Sequence, residues 1–437
     1  MRKLTYFASF WLSLGFISAC ASAPEAVAEN LAEATPGAAQ EASSEAPQTS
    51  TTRTQPSVDL TQQQRFDLWK TDFIARAAAK GYDRALVARV IDPAKINKLA
   101  LDRDRAQPEF TKPVWSYVDG AASADRLNKG RAKLTEAADV FTQVESRYPV
   151  PRHILTAIWG LETAYGRIMG SHDIVSALST FAFEGRRQKF GEQQLFAVLD
   201  MLAAGDVREE QLIGSWAGAM GMTQFIPTTF RDYAVDFDGD GNKNLWGSQG
   251  DALGSAAHYL ARSGWRAGEP VMAEVKVVPE FDYSLLEGPR KTVSEWTALG
   301  VSPVSGERWS QDANFLSAKI IAPGGHRGPK LLTFKNFDVI KRYNNSTSYV
   351  MGVTVLGEAL RGNSAIKTAW PRDDKPLSFE DKKNMQRKLT RLGYSTGGVD
   401  GNIGPNTRKA IRAWQKSSGL PADGYMEQRL YKRLMAQ

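Results

Sequence analysis

Apolar residues recur at helical spacing along most of the chain between residues 61 and 365. Recurrence every three to four residues is typical of amphipathic helices, whereas strict alternation is typical of half-buried strands. Alternation is found around VMAEVKVV, residues 271–278, and near FLSAKII, residues 315–321. The pattern therefore predicts an α+β body, predominantly helical, with a small β-containing insertion.

A separate group of three short helices is predicted at residues 378–437. It follows a linker at residues 366–377, where Pro371 and Pro376 bracket charged residues. Pro405 lies in the first turn of the middle helix, a position that proline favours. The apolar positions at helical spacing are Met385, Leu389 and Leu392 in the first helix, Ile411 and Trp414 in the second, and Met426, Leu430 and Leu434 in the third. This small module has no evident catalytic group.

The N-terminus has the layout of a secretory signal. Arg2 and Lys3 precede an uncharged, mostly apolar stretch that ends at Ala19, which is short for a membrane span of roughly 20 residues. The sequence ISAC that ends at Cys20 resembles the bacterial lipobox, in which the cysteine is acylated. An ordinary signal peptide with an incidental cysteine is the alternative. Ala21 after the cysteine resembles lipoproteins that are sorted to the outer membrane.

The next segment, up to residue 60, is rich in Ala, Glu, Ser, Thr, Pro and Gln and has no aromatic residue. Such a composition cannot bury enough apolar surface to offset its ordering entropy. We therefore expect a signal peptide at residues 1–19 and a lipidated Cys20 with a disordered tether at residues 20–60. The protein would be periplasmic, anchored by lipid to the inner face of the outer membrane.

Charge and motif content exclude several kinds of function. Without Arg2 and Lys3 the chain has 53 basic and 48 acidic residues, a mild net charge of +5, and no basic run with interleaved aromatics, so nucleic acid is not an expected partner. The four histidines form no HExxH pattern, and the single cysteine cannot pair with another to hold zinc. Neither a GxSxG elbow nor a phosphate-binding glycine loop is present. Carboxylates remain as the candidate catalytic groups.

Glu162 is the most informative carboxylate because it lies in the apolar run IWGLETAYGRIMG. A helix that starts near Pro151 places Glu162 on one face with Leu155, Ile158 and Tyr165. Desolvation disfavours the ionised carboxylate and raises its pKa, as a general acid near neutral pH requires. The alternative on this stretch alone is a glutamate that is hydrogen-bonded inside a helix bundle.

An acidic loop follows in DFDGDGNKNLWG. Asp236, Asp238, Asp240 and Gly241 match the first half of a calcium loop, in which alternating oxygens surround a hard cation. The twelfth position is Gly247, where a bidentate glutamate is expected. The alternative is an Asp/Gly-rich turn that binds no ion.

Three long motifs, GLETAYG, SWAGAMGMTQFIPTTFRDYAVDFDGDGNKNLW and RYNNSTSYVMG, resemble the membrane-bound lytic murein transglycosylase B family. The resemblance implies a lysozyme-like core in which Glu162 is the sole catalytic acid and base. The implied reaction cleaves peptidoglycan between N-acetylmuramic acid and N-acetylglucosamine. The C6 hydroxyl of the muramic residue then closes onto C1 to form a 1,6-anhydro end, and no cofactor takes part.

The same resemblance assigns further residues. It implies that Ser215 and Gln224 hydrogen-bond the sugars in the cleft. It also implies that Asp251 closes the calcium loop and that Asn242 offers its backbone carbonyl, although the spacing to Asp251 is one residue longer than expected. The residues that match family positions along the glycan groove are Tyr117, Tyr259, Tyr343, Asn344 and Tyr349.

The C-terminal sequence VDGNIGPNTRKAIRAWQKSSGLPADG resembles a peptidoglycan-binding module of cell-wall enzymes. We therefore expect a monomer whose partners are peptidoglycan glycan strands and the outer membrane, with other cell-wall enzymes as candidate partners. Two alternative functions remain at this point. One is a hydrolytic muramidase with the same bond specificity, and the other is a non-catalytic lipoprotein that holds peptidoglycan.

The tether separates the predicted lipid from the predicted active site, which allows a test of the anchor. Cys20→Ala should release a soluble periplasmic protein that still cleaves isolated sacculi, because no catalytic group changes. Cell fractionation with a high-salt wash measures the release. Retention of this variant in the membrane fraction would show that Cys20 is not the main attachment.

Overall fold

The structure is a computed structural model that describes residues 60–106 and 113–437. The predicted signal peptide, Cys20 and all but the last residue of the predicted tether lie outside these ranges. The described residues form one compact unit. In the described part, no helix combines the length and the apolar character that crossing a membrane requires.

Helices form the bulk of the body, as the sequence predicts. Those outside the insertion are α1 (Gln62–Ala79), α2 (Arg84–Ile91), α3 (Lys98–Ala106), α4 (Val114–Ala121), α5 (Ala124–Glu136), α6 (Ala138–Arg147), α7 (Arg152–Thr163), α8 (Ile174–Phe183), α9 (Gln188–Ala203), α10 (Pro227–Tyr233), α11 (Gln249–Arg262), α13 (Lys335–Tyr343) and α14 (Thr347–Leu360). Two two-residue strands, β1 (His172–Asp173) and β2 (Ile213–Gly214), pair antiparallel beside them.

Side-chain caps fix where several of these helices begin. Asp173 caps α8, Ser248 caps α11 and Ser346 caps α14, each accepting a backbone N–H from the first turn. Such a cap satisfies one of the N–H groups that a helix leaves unpaired at its start. The Ser346 cap accepts the N–H of Tyr349, which sets the start of the helix that borders the site described below.

Two hydrophobic cores meet in the body. The first surrounds α7 and includes Leu155, Ile158 and Trp159, all at most 1% exposed. The second lies among α1, α8 and α9. Met222, Tyr259 and Tyr343 pack against both cores, so these residues mark the boundary between them.

The insertion between α11 and α13 is a five-stranded antiparallel sheet in the order β4-β6-β7-β3-β5. Its elements are β3 (Met272–Val277), β4 (Lys291–Thr292), α12 (Val293–Ala298), β5 (Val301–Pro303), β6 (Ser317–Ile321) and β7 (Lys330–Thr333). Strands β3 and β6 coincide with the two segments of alternating residues, so the predicted fold class is confirmed. A third core, which includes Val275, Trp296 and Leu332, lies against this sheet.

The C-terminal module contains α15 (Phe379–Arg391), α16 (Pro405–Ser417) and α17 (Gln428–Met435). Pro405 begins its helix as predicted, and Met385, Leu389, Ile411, Trp414 and Leu434 are buried in the module's core. Two details of the helical pattern predicted for the module are wrong. Leu392 follows the end of α15 and is 39% exposed, and Met426 is buried but precedes α17.

The predicted linker is a packed segment held against the body and the insertion. Trp370 lies against Trp115, with ring centroids 6.0 Å apart, and Arg372 donates two hydrogen bonds to Asp119 at 2.7 and 3.0 Å. Asp374 accepts from Arg327 of the insertion and from Arg429 of the module, each at 2.6 Å. These contacts fix the position of the module relative to the rest of the described chain.

Candidate active site

Glu162 is the penultimate residue of α7, and its side chain is partly exposed while most neighbours on the helix are buried. Burial raises the pKa of Glu162 from 4.5 to about 7, against the opposing effect of a hydrogen bond from Tyr349. The Tyr349 hydroxyl donates this bond to Oε1 at 2.5 Å. The rise in pKa expected from the apolar surroundings is confirmed, and the carboxyl can exist in either protonation state near neutral pH.

The chain turns sharply directly after Glu162. Ala164, Tyr165 and Gly166 have φ angles of 48°, 64° and 82°, so three consecutive residues adopt the left-handed conformation. This corrects the sequence prediction, which continued the helix through Tyr165. A non-glycine residue in this region costs of order 1–3 kcal/mol and persists only where the surroundings hold it.

The surroundings hold this turn at both ends. The Tyr165 hydroxyl donates to the carbonyl of Arg126 at 2.7 Å. Its ring lies so close to Gly160 that a Cβ there would come within 2.6 Å of it. Thr163 Oγ1 accepts the N–H of Gly166 at 2.9 Å and donates to the carbonyl of Met222 at 2.6 Å. These contacts set the direction in which the end of α7 presents Glu162.

Three tyrosine side chains interact electrostatically with the carboxyl group of Glu162. Burial raises the pKa of Tyr117 to about 12 and the pKa values of Tyr343 and Tyr349 well above 10, and the charge of Glu162 raises all three further. Tyr117 approaches from α4 because Gly352 on α14 leaves room, since a Cβ there would lie 2.8 Å from the ring. The three phenols therefore stay protonated near neutral pH.

Tyr343 and Tyr259 form the adjoining wall. The Tyr343 hydroxyl donates to the carbonyl of Thr223 at 2.5 Å, and the Tyr259 hydroxyl donates to the carbonyl of Arg342 at 2.7 Å. Their rings meet edge to face with centroids 5.4 Å apart. The sequence pattern did not single out Thr223, although it lies within a motif quoted above.

Gln224 and Ser215 lie on the loop that packs against the segment following Glu162. Gln224 has a φ of 51° and donates from Nε2 to the carbonyls of Met169 and Gly221 at 3.1 and 3.0 Å. Ser215 Oγ accepts the N–H of Ala219 at 3.0 Å. Gln224 thus contacts the segment that follows the left-handed turn, whereas Ser215 is bonded within its own loop.

The two loops approach so closely that a Cβ on Gly170 would lie 2.1 Å from the carbonyl oxygen of Gly214. This approach requires glycine at position 170, where φ is 97°. Asn344, the remaining predicted groove residue, ends α13 directly after Tyr343, and its side chain is exposed.

The acidic loop brings four carboxylates together. One oxygen from each of Asp236, Asp238, Asp240 and Asp251 lies within 4.8 Å of the others. Asp251 is buried and accepts the N–H groups of Phe237 and Asn244, each at 2.7 Å. The longer spacing to Asp251 therefore does not prevent it from closing the loop. An all-oxygen donor set of this kind fits a hard cation such as Ca²⁺.

Asn242, the other predicted ligand, is exposed and donates its backbone N–H to Asp240 at 2.8 Å. Gly247 donates its N–H to the side chain of Asn244 at 2.9 Å, so this glycine helps to hold the turn. The loop thus keeps its shape through contacts within itself.

Two family models match the chain. The transglycosylase SLT domain matches residues 65–358, which include the insertion and every site residue named above. The model described as a peptidoglycan binding domain matches residues 380–434. These spans agree with the body and the module of the structure.

Individual relatives agree with the family models. The membrane-bound lytic murein transglycosylase B of Escherichia coli is 33% identical over 297 residues, which cover 64% of this chain and 79% of that protein. SltB3 from Pseudomonas aeruginosa, solved in complex with NAG-NAM-pentapeptide, is 45% identical with a TM-score of 0.81, covering 84% of this chain and 99% of that chain.

An Escherichia coli lytic transglycosylase solved in complex with calcium is 30% identical with a TM-score of 0.58, covering 67% of this chain and 92% of that chain. The sequence resemblance and the expected lysozyme-like fold are thus confirmed by independent comparisons of sequence and of structure. With a family match over most of its length and a fold shared with solved transglycosylases, the chain belongs to the SLT-domain family of lytic transglycosylases.

Proposed function

We propose that this enzyme cleaves peptidoglycan between N-acetylmuramic acid and N-acetylglucosamine and leaves 1,6-anhydromuramic ends, with Glu162 as the single acid and base. The observation that carries the proposal is the state of that carboxyl group. Its pKa of about 7 results from burial and one hydrogen bond, and no second carboxylate of the described residues contributes to the shift. Ordinary glycosidases use two carboxylates that flank the scissile bond.

One carboxyl group is sufficient when the nucleophile belongs to the substrate. Protonated Glu162 donates its proton to the glycosidic oxygen as the bond from C1 to that oxygen breaks. The carboxylate then accepts the proton of the C6 hydroxyl as O6 forms a bond to C1. Glu162 ends protonated, water is not consumed, and the intramolecular attack gains a large proximity advantage.

Tyr349 supports the first half of this cycle. Its hydroxyl, 2.5 Å from Oε1, stabilises the carboxylate formed after the first proton transfer. We assign sugar binding to Ser215, Gln224 and Asn344. The aromatic wall of the groove would comprise Tyr117, Tyr259 and Tyr343, since ring faces suit the apolar faces of sugars.

The hydrolytic muramidase differs in using water as the nucleophile. Within the described residues, no other carboxylate contributes to the pKa shift of Glu162, and this favours the anhydro product. The non-catalytic alternative conflicts with membership of a family of lytic transglycosylases.

Glu162→Gln should abolish cleavage of sacculi while the fold is retained, because the amide is nearly isosteric but can neither donate nor accept the proton. General acid–base catalysis contributes roughly 10²–10⁴-fold, so activity should fall to less than about a hundredth. Release of soluble muropeptides measures the rate, and circular dichroism checks the fold. Glu210→Gln, at a side chain that is 69% exposed, is the control and should keep full activity. A higher residual rate in Glu162→Gln would assign the chemistry to another residue.

The pH profile should report the pKa of Glu162. The reaction needs the proton on this group at the start, so kcat/KM should be maintained below about pH 7 and fall as pH rises above it. Tyr349→Phe removes the hydrogen bond that lowers the pKa, so the alkaline limb should move to higher pH, whatever happens to the maximal rate. Tyr394→Phe in the module is the control and should leave the limb in place. A limb that does not move in Tyr349→Phe would contradict the assigned hydrogen bond.

We also propose that the acidic loop binds one structural Ca²⁺ through Asp236, Asp238, Asp240 and Asp251, with the backbone carbonyl of Asn242. The convergence of the four carboxylates supports it. The ion would offset their mutual repulsion and stabilise the loop, with no role in proton transfer.

Calcium should therefore raise the melting temperature, because a ligand that binds only the folded state stabilises it by mass action. EGTA should reverse the rise, and Mg²⁺ should produce a smaller one because it keeps its waters and demands octahedral geometry. Asp238→Asn should weaken the response, whereas Asp232→Asn, four residues before the loop, should not. Equal melting temperatures with calcium and with EGTA would exclude the site.

For location, we propose the periplasm, with a lipid on Cys20 that anchors the protein to the outer membrane. The Escherichia coli relative is membrane-bound. Peptidoglycan lies in the periplasm. The matched module supports peptidoglycan strands as the partner.

A further inference from the structure

Arg126, in the first turn of α5, connects three helices of the body through its guanidinium group. Its Nη1 donates to the carbonyl oxygens of Gly120 and Ala121 at the end of α4, the latter at 3.1 Å. Its Nε donates to the carbonyl oxygen of Gly160 on α7 at 3.2 Å. Within the described residues, the hydrogen bonds of this guanidinium group therefore go to backbone carbonyls of two neighbouring helices.

The contact with α4 supplies donors where the helix ends. The last four carbonyl groups of a helix have no partner within it, and a basic side chain near the end can hydrogen-bond them. Arg126 does this for Gly120 and Ala121, the last two residues of α4. Tyr117 lies one helical turn before Ala121, so the contact fixes the end of the helix that carries this tyrosine.

The contact with α7 lies at the turn that follows Glu162. The carbonyl of Gly160 also accepts the N–H of Ala164, the first residue of the left-handed turn, at 3.2 Å. The main-chain carbonyl of Arg126 accepts the Tyr165 hydroxyl at 2.7 Å. Arg126 thus contacts α7 two residues before Glu162 and the turn three residues after it.

The segment that carries Arg126 is itself held in place. The side chain of Ser123 caps α5 by accepting the N–H of Arg126. Gly130 follows one turn later, and a Cβ there would lie 2.5 Å from the hydroxyl oxygen of Tyr165. Helix α5 therefore packs closely against the turn, and a different position for the Tyr165 ring would require α5 to move.

Arg126 acts on the catalytic carboxyl group through position rather than through charge. The charge of Glu162 raises the pKa values of Tyr117 on α4, Tyr343 on α13 and Tyr349 on α14. The charge of Arg126 lowers the pKa of Tyr117, against the larger effect of burial. Within the described residues, the shift of the Glu162 pKa results from burial and from Tyr349, and Arg126 does not contribute to it directly.

We propose that Arg126 is a positioning residue of the active site, which holds the ends of α4 and α7, and with them Tyr117 and Glu162, in one fixed arrangement. The inference rests on the proposed function, because it gives Arg126 a part in the chemistry of Glu162. Without this residue, the end of α7 would move and water would reach the carboxyl group. Misplacement of a reacting group by about 1 Å can cost roughly 100-fold in rate.

Arg126→Gln tests the proposal, because one amide cannot contact both helices. We expect kcat to fall roughly 10–100-fold. The alkaline limb of kcat/KM should move about one unit to lower pH, because a less buried carboxyl group ionises more readily. This direction is opposite to that expected for Tyr349→Phe. Carbon-13 NMR of the Glu162 carboxyl, assigned by its loss in Glu162→Gln, should show the same fall in pKa without reference to activity.

Two further variants make the test specific. Arg433→Gln is the matched control, since Arg433 donates to the carbonyl of Ser418 at the end of α16, far along the chain from Glu162. It should keep the wild-type kcat, alkaline limb and Glu162 pKa. Arg126→Lys keeps the positive charge, but its ammonium group cannot contact α4 and α7 as a guanidinium does. Its changes should have the same direction as those of Arg126→Gln and be smaller.

A role of Arg126 in stability alone gives a different result. Arg126→Gln would then lower the melting temperature and leave kcat and the Glu162 pKa of the folded protein unchanged, which would overturn the inference. If Arg126→Gln does not fold, Arg126→Lys decides, and a wild-type Glu162 pKa in that variant would overturn it. Failure of the proposed function is distinguishable, since Glu162→Gln would then remain active while the NMR titration of Glu162 still responded to Arg126→Gln.

Discussion

The structure depends on one constraint: an ionisable carboxyl group is held in apolar surroundings at the end of a helix. The free-energy cost of burying the ionised carboxylate appears in the pKa of Glu162, which burial moves from 4.5 to about 7. Because the folded state then binds a proton more tightly than the unfolded chain, this group's contribution to stability declines as pH rises from about 4.5 to about 7. The Tyr349 hydroxyl offsets part of that cost by a hydrogen bond. The packing of α7 against α14 must therefore bring the side chains of Glu162 and Tyr349 within hydrogen-bonding distance.

Much of the surrounding architecture keeps these helices in that arrangement. Gly352 lets the ring of Tyr117 reach α14, and Gly160 lets the ring of Tyr165 return onto α7. The left-handed turn at residues 164–166 ends the helix one residue after Glu162, where a continued helix would carry the chain away from the 213–226 loop. Strain in the backbone is thereby compensated by tertiary contacts, as is common where a site requires an unusual geometry.

The sequence was sufficient where the determinants are local. The apolar periodicity places Glu162 on a buried helix, the alternation at residues 271–278 and 315–321 locates two strands, and Pro405 marks a helix start. The sequence was insufficient where contacts between residues far apart in the chain determine the structure. The end of α7 is set by the bond from Tyr165 to Arg126, 39 residues away, and closure of the acidic loop depends on the buried position of Asp251. The position of the linker depends on pairs such as Arg372 with Asp119, 253 residues apart, which no periodicity reveals.

The most direct test of the account is the chemical form of the ends that the enzyme produces. Purified protein should be incubated with isolated sacculi, and the released muropeptides should be analysed by mass spectrometry without prior reduction. The account predicts 1,6-anhydromuramic ends, because the C6 hydroxyl attacks C1 and a single carboxyl group, Glu162, transfers both protons. Reducing muramic ends as the main product would mean that water is the nucleophile, and would contradict catalysis by one carboxyl group.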